Sequence, residues 1–140
     1  MVKVIYEDNH LLVVEKPVNI LSQGDNTNDD DMVNLLKKYL KEKYNKPGNV
    51  FVGLVHRLDR PVGGCMVFAK TSKAASRLSE QVRNKSFKKT YRAVIHGKMN
   101  KQEDNLMDYL YKNKKTNMVS VVSKNTKDAK DARLSYETLD

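Results

Sequence analysis

Residues 56–60, His-Arg-Leu-Asp-Arg, combine the side chains in this chain that are best suited to chemistry. The segment places one carboxylate, Asp59, between Arg57 and Arg60, and a glycine pair follows closely. Neighbouring arginines favour the ionised carboxylate, which is the form that can act as a nucleophile. If the preceding strand continues through Asp59, Arg57 and Asp59 share one face and Leu58 anchors the other.

A purely structural role is the alternative for each of these residues. An Arg-x-Asp-Arg sequence commonly forms an ordinary ion pair at a turn. A histidine such as His56 is more often a hydrogen-bonded core residue than a base, and a tyrosine in a strand such as Tyr91 is by default a packed aromatic. The residue types alone therefore leave both interpretations open.

The positive charge of the chain is concentrated directly after this segment. The net charge is +9, and residues 71–100 contain 8 basic residues and 1 acidic residue. A local basic field attracts phosphate backbones and raises encounter rates. A solvated lysine-rich face is the alternative. The position next to a candidate site favours nucleic acid as the partner.

Other features of the sequence exclude several classes of protein. The apolar runs reach only four or five residues, well short of the roughly 20 that a membrane-spanning helix needs. The N-terminus lacks the pattern of a secretion signal. The single cysteine, Cys65, cannot form an internal disulfide and fits a reducing cytoplasm. The three histidines lie far apart, without the spacing of a structural metal site. We therefore expect a cytoplasmic protein that binds neither membrane nor metal.

The apolar patterning of residues 1–84 predicts strands alternating with helices. Leu11–Val14 are continuously apolar, so both faces of their strand should be covered. Asp29, Asp30 and Asp31 are placed to cap a helix; a metal site is disfavoured because consecutive carboxylates cannot converge on one ion. We predict strands at 2–6, 10–16, 51–56 and 64–70, a loop at 18–31, and helices at 32–45 and from Thr71 or Ser72 to about Asn84.

The remaining residues predict mainly strands. Residues 88–96 alternate, with Tyr91 on one face and Arg92 on the other. Residues 106–111 fit either a short strand or one helical turn. We predict further strands at 117–123 and 132–139, joined by a polar, lysine-rich turn.

Three ordered blocks carry a family resemblance. They are Asp8-Asn9-His10-Leu11-Leu12-Val13-Val14-Glu15-Lys16-Pro17, then His56-Arg57-Leu58-Asp59-Arg60 with Gly64 and Phe68-Ala69-Lys70-Thr71, then Lys88-Lys89-Thr90-Tyr91-Arg92-Ala93-Val94 with Gly97. Together they resemble the RluA-type RNA pseudouridine synthases. Residues 132–139 resemble the strand before the last motif of that family, so the similarity spans essentially the whole chain.

This resemblance implies a fold and a reaction. The fold is α+β, with a mixed, largely antiparallel sheet and flanking helices. The reaction converts uridine in ribosomal or transfer RNA to pseudouridine without metal or organic cofactor, with Asp59 attacking either ribose C1′ or uracil C6. Tyr91 would stack on the extruded base, and Arg57 and Arg60 would bind the substrate. The RNA backbone would be bound by Lys73, Arg77, Lys88, Lys89 and Arg92.

The sequence departs from the family pattern in two places. Many relatives have an acidic residue, Thr and Ser where this chain has Pro61-Val62-Gly63. The closing Gly-Arg-Thr-His-Gln-Ile-Arg type motif, which supplies a basic partner for the aspartate, is absent, as is the small N-terminal RNA-binding module of some relatives. We therefore expect residues 1–140 to form the N-terminal part of a catalytic domain with little activity alone. Its exposed sheet edges would be available for pairing between copies.

Two other classes of function stay open. One is a non-catalytic RNA-binding or ribosome-associated domain in which Asp59 is structural. The other is a different nucleic-acid enzyme that uses Asp59 with a metal. The lack of a second convergent carboxylate argues against the metal enzyme.

Overall fold

Seven strands and two helices form in residues 2–139, which are the residues that the computed structural model describes. They belong to two units, divided between Thr90 and Tyr91. The first unit contains β1 (Lys3–Glu7), β2 (Leu11–Lys16), α1 (Met32–Lys43), β3 (Gly53–Leu54), β4 (Gly64–Ala69) and α2 (Ser72–Arg83). The second contains β5 (Glu103–Lys112), β6 (Val119–Val122) and β7 (Lys130–Glu137).

The sheet of the first unit has the strand order β1-β2-β4-β3, and all neighbours are antiparallel. Alternate residues of β2 bury opposite faces. Leu12 and Val14 pack in one apolar cluster with residues of α1, while Leu11 packs in a second cluster with Ala74 and Leu78 of α2. The prediction that both faces of β2 are covered is therefore confirmed.

Both helices begin at side-chain caps that satisfy free backbone amides. Asp31 accepts a hydrogen bond from the amide of Asn34 at 3.1 Å, and Thr71 accepts one from the amide of Ala74 at 3.1 Å. Capping by the aspartate run is thus confirmed, and Thr71 rather than Ser72 caps α2.

Two predicted strands differ from the structure. Residues 51–56 were expected to form a strand, but only the two residues of β3 pair, both with β4. The strand predicted at 88–96 is wrong, because within residues 2–139 no strand pairs with this segment. An alternating pattern satisfies the side chains of a strand but not its backbone hydrogen bonds, which require a neighbouring strand.

The second unit is a three-stranded antiparallel sheet with the order β6-β5-β7. Residues 106–111, for which a strand and a helical turn were both possible, lie within β5. Every described residue of this unit is at least partly exposed. The expected α+β class with largely antiparallel pairing is confirmed, although the strands form two sheets. Among residues 2–139, no helix is long and apolar enough to cross a membrane. The prediction that residues 1–140 are part of one catalytic domain stays a prediction.

Glu7 at the end of β1 ties α1 and β4 to the edge of the first sheet. Its carboxylate accepts hydrogen bonds from Tyr39 and Lys43 at 2.8 Å, Tyr44 at 2.6 Å and Lys70 at 2.8 Å. Burial raises the pKa of this carboxyl, but the hydrogen bonds from Lys43, Lys70 and the two tyrosines outweigh burial and lower it to about 2.

This network predicts a loss of stability in acid. The unfolded Glu7 carboxyl binds its proton near pH 4.5 and the folded one near pH 2, so the stabilisation is complete above pH 4.5 and falls as the pH drops toward 2. We expect Glu7 to contribute up to about 3 kcal/mol at neutral pH. Urea unfolding between pH 2.5 and 7 should show a shallower pH dependence for Glu7→Gln than for wild type.

The control for this experiment is Glu15→Gln. In the part of the chain that the structure describes, Glu15 pairs with Lys3 on the exposed surface, at 2.6 Å, and exposed pairs contribute little to stability. An equally large change in the pH dependence of both variants would contradict the assigned role of the Glu7 network.

Candidate active site

Asp59 lies on an exposed turn between β3 and β4. The neighbouring Leu58 is 8% exposed and belongs to the main apolar cluster, whereas Arg57 and Asp59 are exposed. The turn closes when the amide of Val62 donates to the Asp59 carbonyl oxygen at 3.0 Å. Although β3 ends at Leu54, the predicted alternation of residues 57–59 about Leu58 is present.

The glycine pair allows the chain to leave this turn and enter β4. Gly64 has φ +147°, a backbone conformation that L side chains rarely adopt. A Cβ atom on Gly63 would lie 3.3 Å from the carbonyl oxygen of Lys16. The backbone conformation therefore favours glycine at position 64, and the close approach of Lys16 favours glycine at position 63.

Ser22 holds the backbone of Leu58 on both sides. Its buried hydroxyl donates to the Leu58 carbonyl oxygen at 2.6 Å and accepts from the Leu58 amide at 3.1 Å. The loop of residues 17–31 thereby fixes the backbone immediately before Asp59. Such bonds constrain the direction in which the Asp59 side chain leaves the turn.

Lys16 supports the residues of the turn that follow Asp59. Its side chain is fully buried at the end of β2. The ammonium group donates to the carbonyl oxygens of Pro17 at 3.0 Å, Arg60 at 3.2 Å and Val62 at 2.7 Å. Burial lowers the pKa of Lys16, and the nearby Asp59 carboxylate opposes that shift. Lys16 therefore supplies both the support of the turn and a positive charge close to Asp59.

Arg60 connects the turn to the same loop. The backbone amide of Asn19 donates to the Arg60 carbonyl oxygen at 2.8 Å, and the Arg60 Nε donates to the Asn19 carbonyl oxygen at 3.2 Å. The guanidinium also pairs with Asp29 at 2.7 Å. Binding of substrate by Arg60 stays a prediction. For this binding, an RNA phosphate would have to compete with the Asp29 carboxylate for the Arg60 guanidinium.

The Asp59 carboxylate itself is available to a ligand. Within residues 2–139 it accepts no hydrogen bond and forms no ion pair, and the same holds for the side chain of Arg57. The alternative of an Asp59–arginine ion pair at the turn is therefore not seen. Asp59 combines a fixed backbone with an unengaged, solvent-facing carboxylate.

His56 is partly buried and hydrogen-bonded to the backbone of β4. Its Nε2 accepts a hydrogen bond from the Val67 amide at 3.1 Å, and its ring lies 5.4 Å from that of Phe87. Burial lowers the pKa of the imidazole, and the charge of Lys89 lowers it further. The interpretation of His56 as a hydrogen-bonded core histidine is confirmed. A neutral Nε2 acceptor places the ring proton on Nδ1.

The predicted RNA contacts are divided between the two units. The first unit contains Lys73 and Arg77 on α2 and Lys88 and Lys89 after it, all exposed and without an ion pair in the described part of the chain. The second unit contains Arg92 and Tyr91, and the Tyr91 side chain is 57% exposed. The roles of these residues stay predictions.

Sequence reasoning missed the supports of the turn, Lys16, Asn19 and Ser22. One signal for Lys16 was present, because it follows Leu12 and Val14 at a spacing of two and so falls on the buried face of β2. A lysine at such a position is rarely buried without partners. For Ser22 and Asn19 the sequence carries no comparable signal.

Ser22→Ala should test whether the loop positions Asp59. Removing the hydroxyl leaves the Leu58 amide and carbonyl without their partner, so we expect a loss of about 2 kcal/mol in the free energy of unfolding. Hydrogen exchange of the Leu58 amide should accelerate more than exchange in α2. Ser79→Ala on the exposed face of α2 is the control. Unchanged exchange at Leu58 would show that Ser22 does not hold the turn.

The family model described as RNA pseudouridylate synthase matches residues 10–140. The chain therefore belongs to the RNA pseudouridylate synthase family, and the resemblance found in its motifs is confirmed. It is similar to "tRNA pseudouridine synthase C" of Vibrio cholerae, with 30% identity over 139 residues, covering 99% of this chain and 54% of the relative. It is also similar to "Ribosomal large subunit pseudouridine synthase C" of Buchnera aphidicola, with 34% identity, covering 80% of this chain and 35% of the relative.

A solved structure supports the fold. The human "RNA Pseudouridylate Synthase Domain Containing 4" superposes with a TM-score of 0.71 at 17% identity, covering 96% of this chain and 52% of the human chain. At this identity the likeness shows the fold alone. The chain spans about half or less of the length of these relatives.

Proposed function

We propose that the protein carrying these residues isomerises uridine to pseudouridine in ribosomal or transfer RNA, with Asp59 as the nucleophile. The observation that carries this proposal is the unengaged Asp59 carboxylate on a turn held by Lys16 and Ser22, in a chain of the RNA pseudouridylate synthase family. The substrate classes are those in the names of similar proteins.

The proposed reaction needs one nucleophile and an extruded base. The glycosidic bond from C1′ to N1 of uracil breaks and a bond from C1′ to C5 forms, while C5 loses a proton and N1 gains one. Asp59 adds to C1′ or to C6 and leaves again, so no oxidant or reductant is consumed. The base must leave its stack to be reached.

The remaining residues have substrate-binding roles in this proposal. Tyr91 stacks on the extruded uracil, and Arg57 and Arg60 hold the nucleotide. The side chains that neutralise RNA phosphates are those of Lys73, Arg77, Lys88, Lys89 and Arg92. The protein acts in the cytoplasm without metal or organic cofactor, and self-association through sheet edges stays a prediction.

Formation of pseudouridine is the direct test. The gene product that carries these 140 residues is incubated with uridine-containing ribosomal and transfer RNA in excess chelator, and nucleosides are analysed by mass spectrometry after base-specific labelling. Conversion that resists chelation is expected. Conversion that requires added metal would overturn the metal-free mechanism. RNA binding without conversion would favour a non-catalytic RNA-binding domain.

A further inference from the structure

Three lysines of α1 line a cavity on the first unit, apart from the turn of Asp59. Lys37, Lys38 and Lys41 line an open surface concavity of about 390 Å³ together with the loop residues Gly48, Asn49 and Val50. We call this cavity the α1 lysine pocket. No role was assigned to it from the sequence, and none of the residues around Asp59 lines it.

The lysines of this pocket have no anionic partner within residues 2–139. The neighbouring Lys43 differs in this respect. Lys43, on the same helix, pairs with the Glu7 carboxylate at 2.8 Å. Three exposed lysines on one part of α1 without a counter-charge form a local positive field that attracts anions.

The loop side of the pocket adds backbone donors. In the described part of the chain, the amides of Gly48, Asn49 and Val50 donate no hydrogen bond. The nearby carbonyls at the end of α1 are already used, because the carbonyl oxygen of Lys41 accepts from the amide of Lys46 at 3.1 Å and that of Leu40 from Tyr44 at 3.2 Å. Lysine side chains and backbone amides without a protein acceptor thus border the same concavity, and such donors suit oxyanions.

The net charge of residues 1–50 gives no indication of this pocket. Residues 1–50 contain 7 basic and 8 acidic residues, yet within residues 2–139 no acidic group forms an ion pair with Lys37, Lys38 or Lys41. Glu7 pairs with Lys43 and Lys70, Asp29 pairs with Arg60, and Asp31 caps α1. A segment of nearly zero net charge thus presents a strongly basic patch.

We propose that the α1 lysine pocket binds phosphodiester groups of the RNA substrate, at a second contact point apart from the turn of Asp59. This rests on the proposed function in that the ligand is RNA. Phosphate oxygens can accept from lysine ammonium groups and from backbone amides at once. The contact is electrostatic and independent of base sequence, so its contribution falls with salt.

The test compares two triple variants of the gene product that carries these 140 residues. Lys37→Gln/Lys38→Gln/Lys41→Gln removes the pocket charge, and Lys114→Gln/Lys124→Gln/Lys127→Gln removes the same charge from exposed positions of the second unit. Binding to a single-stranded, uridine-containing RNA is measured by fluorescence anisotropy from 50 to 300 mM salt. The pocket variant should bind about tenfold more weakly near 100 mM salt, with a slope of log affinity against log salt shallower by about 1.4 or more. The control variant should stay within about twofold of wild type.

The outcomes separate this inference from the proposed function. If wild type binds RNA and the two variants weaken equally or not at all, the pocket assignment is overturned while the proposed function stands. If wild type binds no RNA, both are overturned. If the wild-type chain binds poly-glutamate more tightly than RNA and the pocket variant loses that binding, the pocket is a site for an acidic protein and the RNA assignment is wrong.

Discussion

Replacing Lys16 by methionine is expected to lower the free energy of unfolding by about 3 kcal/mol and to release the turn that carries Asp59. Methionine fills the buried stem but leaves the carbonyl oxygens of Arg60 and Val62 without the ammonium donor. Removing a buried charge also removes its desolvation cost. The loss in the free energy of unfolding should therefore be smaller than the summed contribution of three separate charged hydrogen bonds. Urea unfolding at pH 7 measures this change.

Hydrogen exchange shows whether the effect is local to the turn. In Lys16→Met, the amides of Asn19 and Val62 should exchange faster, because both close hydrogen bonds on the supported turn. Lys127→Met, at an exposed position of the second unit, is the control and should change neither quantity. Wild-type stability together with wild-type exchange at Asn19 in Lys16→Met would contradict the supporting role of Lys16.

Asp59→Asn is expected to reduce pseudouridine formation by at least about 10⁴-fold, the scale of losing a nucleophile. The amide is nearly isosteric with the carboxylate but cannot form the covalent bond to the substrate. Because the side chain accepts no hydrogen bond and forms no ion pair within residues 2–139, the variant should fold as wild type does. Asp59→Glu keeps the charge but displaces it by one methylene, for which a loss of about 10²-fold is expected. Conversion of uridine is measured for all three proteins.

The parts of the fold that could be predicted from sequence depend on local signals. Asp31 and Thr71 were predicted as caps because capping joins a side chain to an amide three residues away. Leu58 was predicted as the anchor between Arg57 and Asp59 because an extended chain alternates its side chains. These interactions are complete within a few residues of sequence.

The supports of the candidate site depend on distant partners. Lys16 and Val62 are 46 residues apart, and Ser22 and Leu58 are 36 residues apart. No local pattern specifies which carbonyl a serine will meet after folding. The strand predicted at 88–96 failed for the same reason, since alternation is local and pairing is not. The uncompensated positive charge of the α1 lysine pocket likewise depends on distant contacts, because Glu7 and Asp29 form their ion pairs with other basic residues.

A single-turnover comparison of wild type and Asp59→Asn tests the central claim most directly. The gene product carrying these residues is mixed in excess with uridine-containing RNA, so that the measured rate reports the bound complex. Asp30→Asn, the same chemical change at an exposed loop carboxylate, is the matched control. The account predicts that all three proteins bind the RNA, that wild type and Asp30→Asn form pseudouridine, and that Asp59→Asn does not. Pseudouridine formation by Asp59→Asn at the wild-type rate would show that Asp59 is not the nucleophile.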